Sequence, residues 1–167
     1  MKVFLIDIQK NYSSGIMTVV FLMNYRVGRY VFLSRYKKTL LFPVYMMCKF
    51  NSRILSFLFG CYLPFSTQLG CSVTFLHGLH GVFISSRAKI GDGCTILHHV
   101  TIGSNVGSKK KTEFLSPNIG ENVFIGVGAK VIGGVSVGEF SMLGAGSVLC
   151  KSVPAYSRVY PPIPEIK

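Results

Sequence analysis

From Ile84 onward a branched aliphatic residue returns every six positions: Ile84, Ile90, Ile96 and Ile102, then Ile119, Ile125, Val131, Val137 and Leu143. Four positions after most of these stands a small or modest residue: Ala88, Cys94, Val100, Val123, Ala129, Val135, Ser141 and Ser147. Glycine often follows the aliphatic residue directly, as at Gly91, Gly103, Gly120, Gly126, Gly138 and Gly144. Neither the 3.6-residue period of a helix nor the two-residue period of an ordinary strand gives matches at spacing six.

A period of six predicts a left-handed parallel β-helix of hexapeptide repeats. About three hexads, roughly 18 residues, make one triangular coil whose aliphatic side chains fill a narrow prism. Small residues suit the corners, and glycine suits tight corners with positive φ. Upstream, Leu69 and Phe75 extend the pattern before the register slips near "FLHGLHGVFIS". The expected fold is therefore mainly β. A helical region at 1–66 precedes a β-helix at 67–152, and an extended tail at 153–167 follows the first of four late prolines, Pro154, Pro161, Pro162 and Pro164. Residues 104–116, with Lys109–Lys111 in a row, cannot form a buried wall, so they predict a loop ejected between coils. That lysine run reads either as a solvated tip or as a holder of phosphates.

Charge is uneven. The chain carries 18 Lys and Arg against 6 Asp and Glu, and residues 1–70 hold nine of those bases against Asp7 alone. Such an excess suits nucleic acid, anionic lipid, acidic polysaccharide or a phosphate-rich cofactor. The apolar runs at 16–33 and 39–63 are interrupted by Asn24, Arg26 and Arg29, and by Pro43, Lys49, Asn51 and Arg53. They predict basic amphipathic helices lying on a membrane or against other subunits in preference to spans. The N-terminus meets Asp7 too early for a secretory signal. Five cysteines without a C-x-x-C pair read as reduced thiols, which places the chain in the cytoplasm, peripheral at the inner membrane face if the helices touch lipid.

The four histidines occur in two places, His77 and His80 in "HGLHG" and His98 and His99 in "ILHHV". An imidazole titrating near pH 6.5 suits a general base. No Ser/Cys–His–Asp set is evident, so direct attack is expected over an acyl-enzyme. Zinc held by three histidines is the competing chemistry, but the paired spacing lacks a converging trio, and no metal is expected.

"AKIGDGCTILHHVTIGSN" followed by "PNIGENVFIGVGAKVIGGVSVGEFSMLGAGSVLCKSVP" resembles the serine acetyltransferase branch of the hexapeptide acyltransferases. Within that branch it is most similar to O-acetyltransferases of capsule and exopolysaccharide synthesis, the colanic-acid type included. The resemblance implies a homotrimer, or a dimer of trimers, with acetyl-CoA in the groove between prisms and no nucleic acid partner. It implies His77 as general base, with His98 as a second catalytic residue and His80, His99, Leu76 and Ser116 near the acceptor. For coenzyme A it implies Gly126, Val127 and Ala129 in one coil and Gly144, Ala145 and Ser147 in the next. Lys130 and Lys151 are placed to reach phosphates, or are ordinary surface lysines.

Departures from the family pattern bear on the acceptor. Serine acetyltransferases resembling this chain carry Asp before the catalytic His, where this chain has Leu76. They carry an Arg-His pair at the end of the loop, where Leu115 and Ser116 precede Pro117. Their long N-terminal helical domain and their usual tail are not matched either. Loss of the charged anchors for a zwitterion leads to the expectation of a saccharide hydroxyl, lipid-linked or free, as acceptor, with serine as the alternative and a non-catalytic β-helix as a further one.

Overall fold

A computed structural model describes residues 2–34, 40–105 and 115–162, and among them thirteen short strands wind into three parallel sheets. The first wall contains β1 (Gln68–Leu69), β4 (Lys89–Ile90), β7 (Asn118–Ile119) and β10 (Ser136–Val137). The second contains β2 (Thr74–Phe75), β5 (Thr95–Ile96), β8 (Phe124–Ile125), β11 (Met142–Leu143) and β13 (Arg158–Val159). The third contains β3 (Phe83–Ile84), β6 (Thr101–Gly103), β9 (Lys130–Ile132) and β12 (Val148–Leu149). The chain visits the walls in rotation, which is the parallel β-helix that the six-residue period demands.

Register shows where the repeat is strict and where it yields. Ile84 pairs with Ile102, Ile119 with Val137 and Ile125 with Leu143, each 18 positions apart. Phe75 pairs with Ile96, 21 positions on, so three residues are extra between Phe75 and Ile84. Ile96 pairs with Ile125, 29 positions on, and the eleven extra residues lie between Ile102 and Ile119. That second insertion is the expected loop; its residues 106–114, including Lys109–Lys111, lie outside the described residues. Ile96, Ile102, Ile125, Val131 and Leu143 are completely buried, and the corner residues Ala88, Cys94, Val100, Val123 and Ala129 are too. Each such aliphatic side chain contributes about 1.5–3 kcal/mol of burial.

The β-helix does not stop at Pro154. Val153 bridges to Val137, and Arg158–Val159 pair with Met142–Leu143, so the tail expected as extended from residue 153 adds further steps to two walls. Proline removes a backbone donor, but this ladder uses the carbonyls of Ser157 and Val159, which accept from the N–H groups of Met142 and Gly144.

Three helices cover the open end of the prism: α1 (Lys2–Asn11), α2 (Ile16–Leu33) and α3 (Phe42–Phe59), with a 3₁₀ turn at Tyr12–Ser14. An exposed β-helix end presents unpaired backbone groups, and this layer satisfies them with side chains. The Tyr25 hydroxyl donates to the Thr67 carbonyl at 2.6 Å, and Arg26 donates to the carbonyls of Leu69 and Gly70 at 2.8 and 2.5 Å. Asn11, wholly buried, donates to the Val73 carbonyl at 2.9 Å and accepts from the Phe75 N–H at 2.8 Å. Its amide thus stands where the next strand of the second wall would be. Asp7, the acid of this region, pairs with Arg26 at 2.7 Å. α2 is long and apolar enough to cross a bilayer by length and composition alone, yet Tyr25, Arg26 and Arg29 bind it to its own chain. Asn24 ties α2 to α3 through the Cys48 carbonyl and the Ser52 hydroxyl.

Candidate active site

The histidines gather at the corner between the second and third walls. Backbone hydrogen bonds define its steps: the His99 N–H donates to the His80 carbonyl, that of Gly128 to His98, and that of Gly146 to Val127. Gly81, His99, Gly128 and Gly146 all have φ between 58° and 70°. Gly81, His99, Gly128 and Gly146 are therefore successive residues of one left-handed corner column, and His80, His98, Val127 and Ala145 precede them.

The three-residue insertion falls at this corner. The Leu76 N–H still donates to the Ile96 carbonyl, and the Gly78 N–H turns back to the Phe75 carbonyl. His77 lies in the bulge between, with φ 68°, a left-handed conformation that is uncommon for a residue with a Cβ. Backbone in such a region is over-determined by its surroundings. Here the surroundings are Asn11, bonded to Phe75, and the start of α2, since a Cβ on Gly78 would meet the Thr18 hydroxyl at 3.2 Å. The His77 side chain is exposed and its ring lies 5.8 Å from that of His98, nearly perpendicular to it. The His98 ring in turn lies 5.4 Å from His99. His98 is half-buried, and its Nδ1 is buried with no hydrogen-bond partner among the described residues. His99 is held over Gly81, whose hydrogen stands where any Cβ would run into the imidazole.

The structure brings His77, His98 and His99 together, keeps Val127 and Ala145 further along the same corner column, and places the other expected residues elsewhere. The His80 ring packs edge-on against Phe59 at 4.9 Å, and the Gly81 N–H donates to the Phe59 carbonyl, so His80 belongs to the seam with α3. Ser116 stands at the corner after the third wall, its hydroxyl bonded to those of Ser85 at 3.1 Å and Ser104 at 2.7 Å, closing the loop root. Leu76 is partly exposed beside His77. Of the residues expected along coenzyme A, Ala129 and Ser147 are completely buried, so their side chains lie inside the prism and offer no surface. Gly126 is buried against the Ala145 backbone, and Gly144 lies beneath the Tyr160 ring. Val127 and Ala145 remain at the corner, with Lys130 and Lys151 exposed. Beyond Gly128 and Gly146 there is open space. Among the described residues no group of three or more His, Cys, Asp or Glu side chains is arranged to hold a metal ion.

Sequence reasoning missed Asn11 and Thr18 as supports of the His77 bulge. Only their polarity within an apolar stretch signalled a role, and nothing in the sequence says which distant strand they meet.

Comparison with known proteins agrees with this architecture. Residues 116–151 match the bacterial transferase hexapeptide model (six repeats). The chain is 36% identical over 115 residues to a serine acetyltransferase of Staphylococcus xylosus, covering 69% of this chain and 51% of that one. It is 38% identical over 109 residues to serine acetyltransferase 2 of Arabidopsis thaliana, covering 65% and 32%. The chain thus spans about half the length of the bacterial relative and about a third of the plant one. A crystal structure of serine acetyltransferase in complex with coenzyme A from Brucella abortus strain S19 superimposes with a TM-score of 0.76 at 26% identity, covering 98% of this chain and 65% of that one. These relatives overturn the expectation of a saccharide acceptor and of a role in polysaccharide synthesis. The missing charged anchors at Leu76, Leu115 and Ser116 bear on how tightly a zwitterion is held, and three side chains weigh less than a match across two thirds of the chain. By its repeats, its walls and its relatives the chain is similar to the hexapeptide-repeat acyltransferases, and to the serine acetyltransferases among them.

Proposed function

We propose that the chain is an acetyl-CoA-dependent O-acetyltransferase whose acceptor is the hydroxyl of serine. The observation that carries the chemistry is the exposed His77 ring on a strained bulge, backed by His98. His77 takes the proton of the attacking hydroxyl as its oxygen adds to the thioester carbonyl. The tetrahedral intermediate then expels the coenzyme A thiolate, which recovers that proton from the imidazolium. Acetyl passes directly to the acceptor, and no acyl-enzyme forms. His98 flanks the His77 ring, its centroid 5.8 Å away.

Acetyl-CoA is the donor. The bare strip over Gly128 and Gly146, bordered by Val127 and Ala145, admits a thin pantetheine arm leading to the histidines. Lys130 and Lys151 are the cations available to its phosphates. The active assembly is a homotrimer of cytoplasmic chains with left-handed winding, in which a neighbouring prism supplies the other side of this strip. Leu76 gives the ammonium of serine no carboxylate, so this reading includes a high KM for serine.

The test is steady-state turnover with acetyl-CoA and L-serine, following O-acetylserine by mass spectrometry. Serine-dependent product is expected, and His77→Ala should lower kcat/KM by about 10²–10⁴. Product from sugars and none from serine, or full activity in His77→Ala, would refute it.

A further inference from the structure

The outer face of α3 is covered by nothing among the described residues. Met46, Phe50, Ile54 and Phe57 recur at helical spacing and form one exposed stripe, with Phe57 88% exposed and Phe50 65%. Only Cys48 and Leu55 of this helix are fully buried. Lys49 and Arg53, four apart, run along one border of the stripe. Beside them, between α3 and the segment 62–66, opens a cavity of about 410 Å³ lined by Lys49, Arg53, Ser52, Ser56, Tyr45 and Phe65. Cations and hydroxyls therefore meet aromatic surface at one place.

We propose that this face docks on an anionic lipid bilayer, the stripe entering the acyl boundary and Lys49 and Arg53 meeting headgroup phosphates. Charge selects this occupant over a second copy of the chain. Residues 1–70 hold nine bases and only Asp7 as an acid, and Asp7 is already paired with Arg26. Two copies of the face would bring like charges together with no acid of their helical regions to offset them. The helix lies on the membrane and does not span it: α3 carries Lys49, Asn51 and Arg53 at mid-length, and α2 is pinned to the β-helix through Arg26 and Arg29. The inference rests on the helical layer alone and stands whatever the acceptor.

Co-sedimentation of the whole chain with vesicles of phosphatidylcholine, with and without added phosphatidylglycerol, tests it. Binding to the anionic vesicles is expected, weakening with salt. Lys49→Gln with Arg53→Gln should cut partitioning about fivefold per charge removed, and Phe50→Ser with Phe57→Ser should abolish it with the far-ultraviolet circular dichroism unchanged. Equal pelleting with and without vesicles, or undiminished binding by the Phe50/Phe57 variant, would overturn it. So would a fall in assembly mass of that variant in sedimentation velocity without any vesicle binding, which assigns the face to contacts between copies.

Discussion

Replacing Asn11 with alanine removes an amide that substitutes for a whole strand edge. The side chain is completely buried and makes three hydrogen bonds, to the carbonyls of Asp7 and Val73 and from the N–H of Phe75. Val73 and Phe75 are themselves buried, so water does not take its place. Two backbone groups of the second wall lose these partners, at about 1–3 kcal/mol each. A loss of about 3 kcal/mol lowers Tm by roughly 6–12 °C for a chain of this size. Urea unfolding followed by circular dichroism at one fixed protein concentration measures it, since an assembly's stability depends on concentration. Asn11→Asp separates shape from hydrogen bonding. It keeps the acceptor for Phe75 but sets a buried carboxylate against the Val73 carbonyl, which favours the protonated form. A carboxyl with a raised folded-state pKa contributes stability that is present at low pH and lost as pH rises. The gap to the wild type should therefore narrow as pH falls. A change below about 0.5 kcal/mol in Asn11→Ala, or a pH-independent Asn11→Asp, would refute the edge-capping argument.

Other outcomes follow from the same geometry. Ile125→Ala, at a completely buried step of the prism, should cost about 2–5 kcal/mol in the same unfolding assay. Gly81→Ala meets a φ of +66° and the His99 ring; a loss of about 1–2 kcal/mol with shifted His99 imidazole resonances is expected, and unshifted resonances would contradict the contact. Burial pushes the Cys61 and Cys94 thiols up to about 11, so iodoacetamide near neutral pH should label exposed Cys150 and spare these two until unfolding, as peptide mass mapping can show. Because both pKa values are raised on folding, stability from these thiols is complete below about pH 9 and falls as pH climbs toward 11.

The prism was legible because every hexad repeats one physical demand, an aliphatic side chain at the same depth. Ile84 through Leu143 carried the walls, and the two breaks in spacing marked the bulge and the loop. The pairing of His77 with His98 was also within reach, since both follow the second wall in successive coils. The left-handed φ of His77 was not, because it arises from three surplus residues held by Asn11 and Thr18, more than 55 positions away in sequence. The tail misled through its prolines. Their fixed φ is compatible with strand geometry, and Val153 and Val159 supply the wall positions. Arg26 and Arg29 read only as interruptions of the apolar run at 16–33, whereas their guanidinium groups donate to carbonyls at the start of the β-helix. Polar residues that close an edge have no periodicity of their own, so only the folded chain shows their partners.

The measurement closest to the central claim is the rate of O-acetylserine formation from acetyl-CoA and L-serine by the wild type and by His77→Ala. The account predicts serine-dependent product in the wild type and a loss of about 10²-fold or more in kcat/KM for the variant, with both proteins unfolding at similar urea concentrations. No serine-dependent product from the wild type, or equal rates in the two proteins, would contradict it.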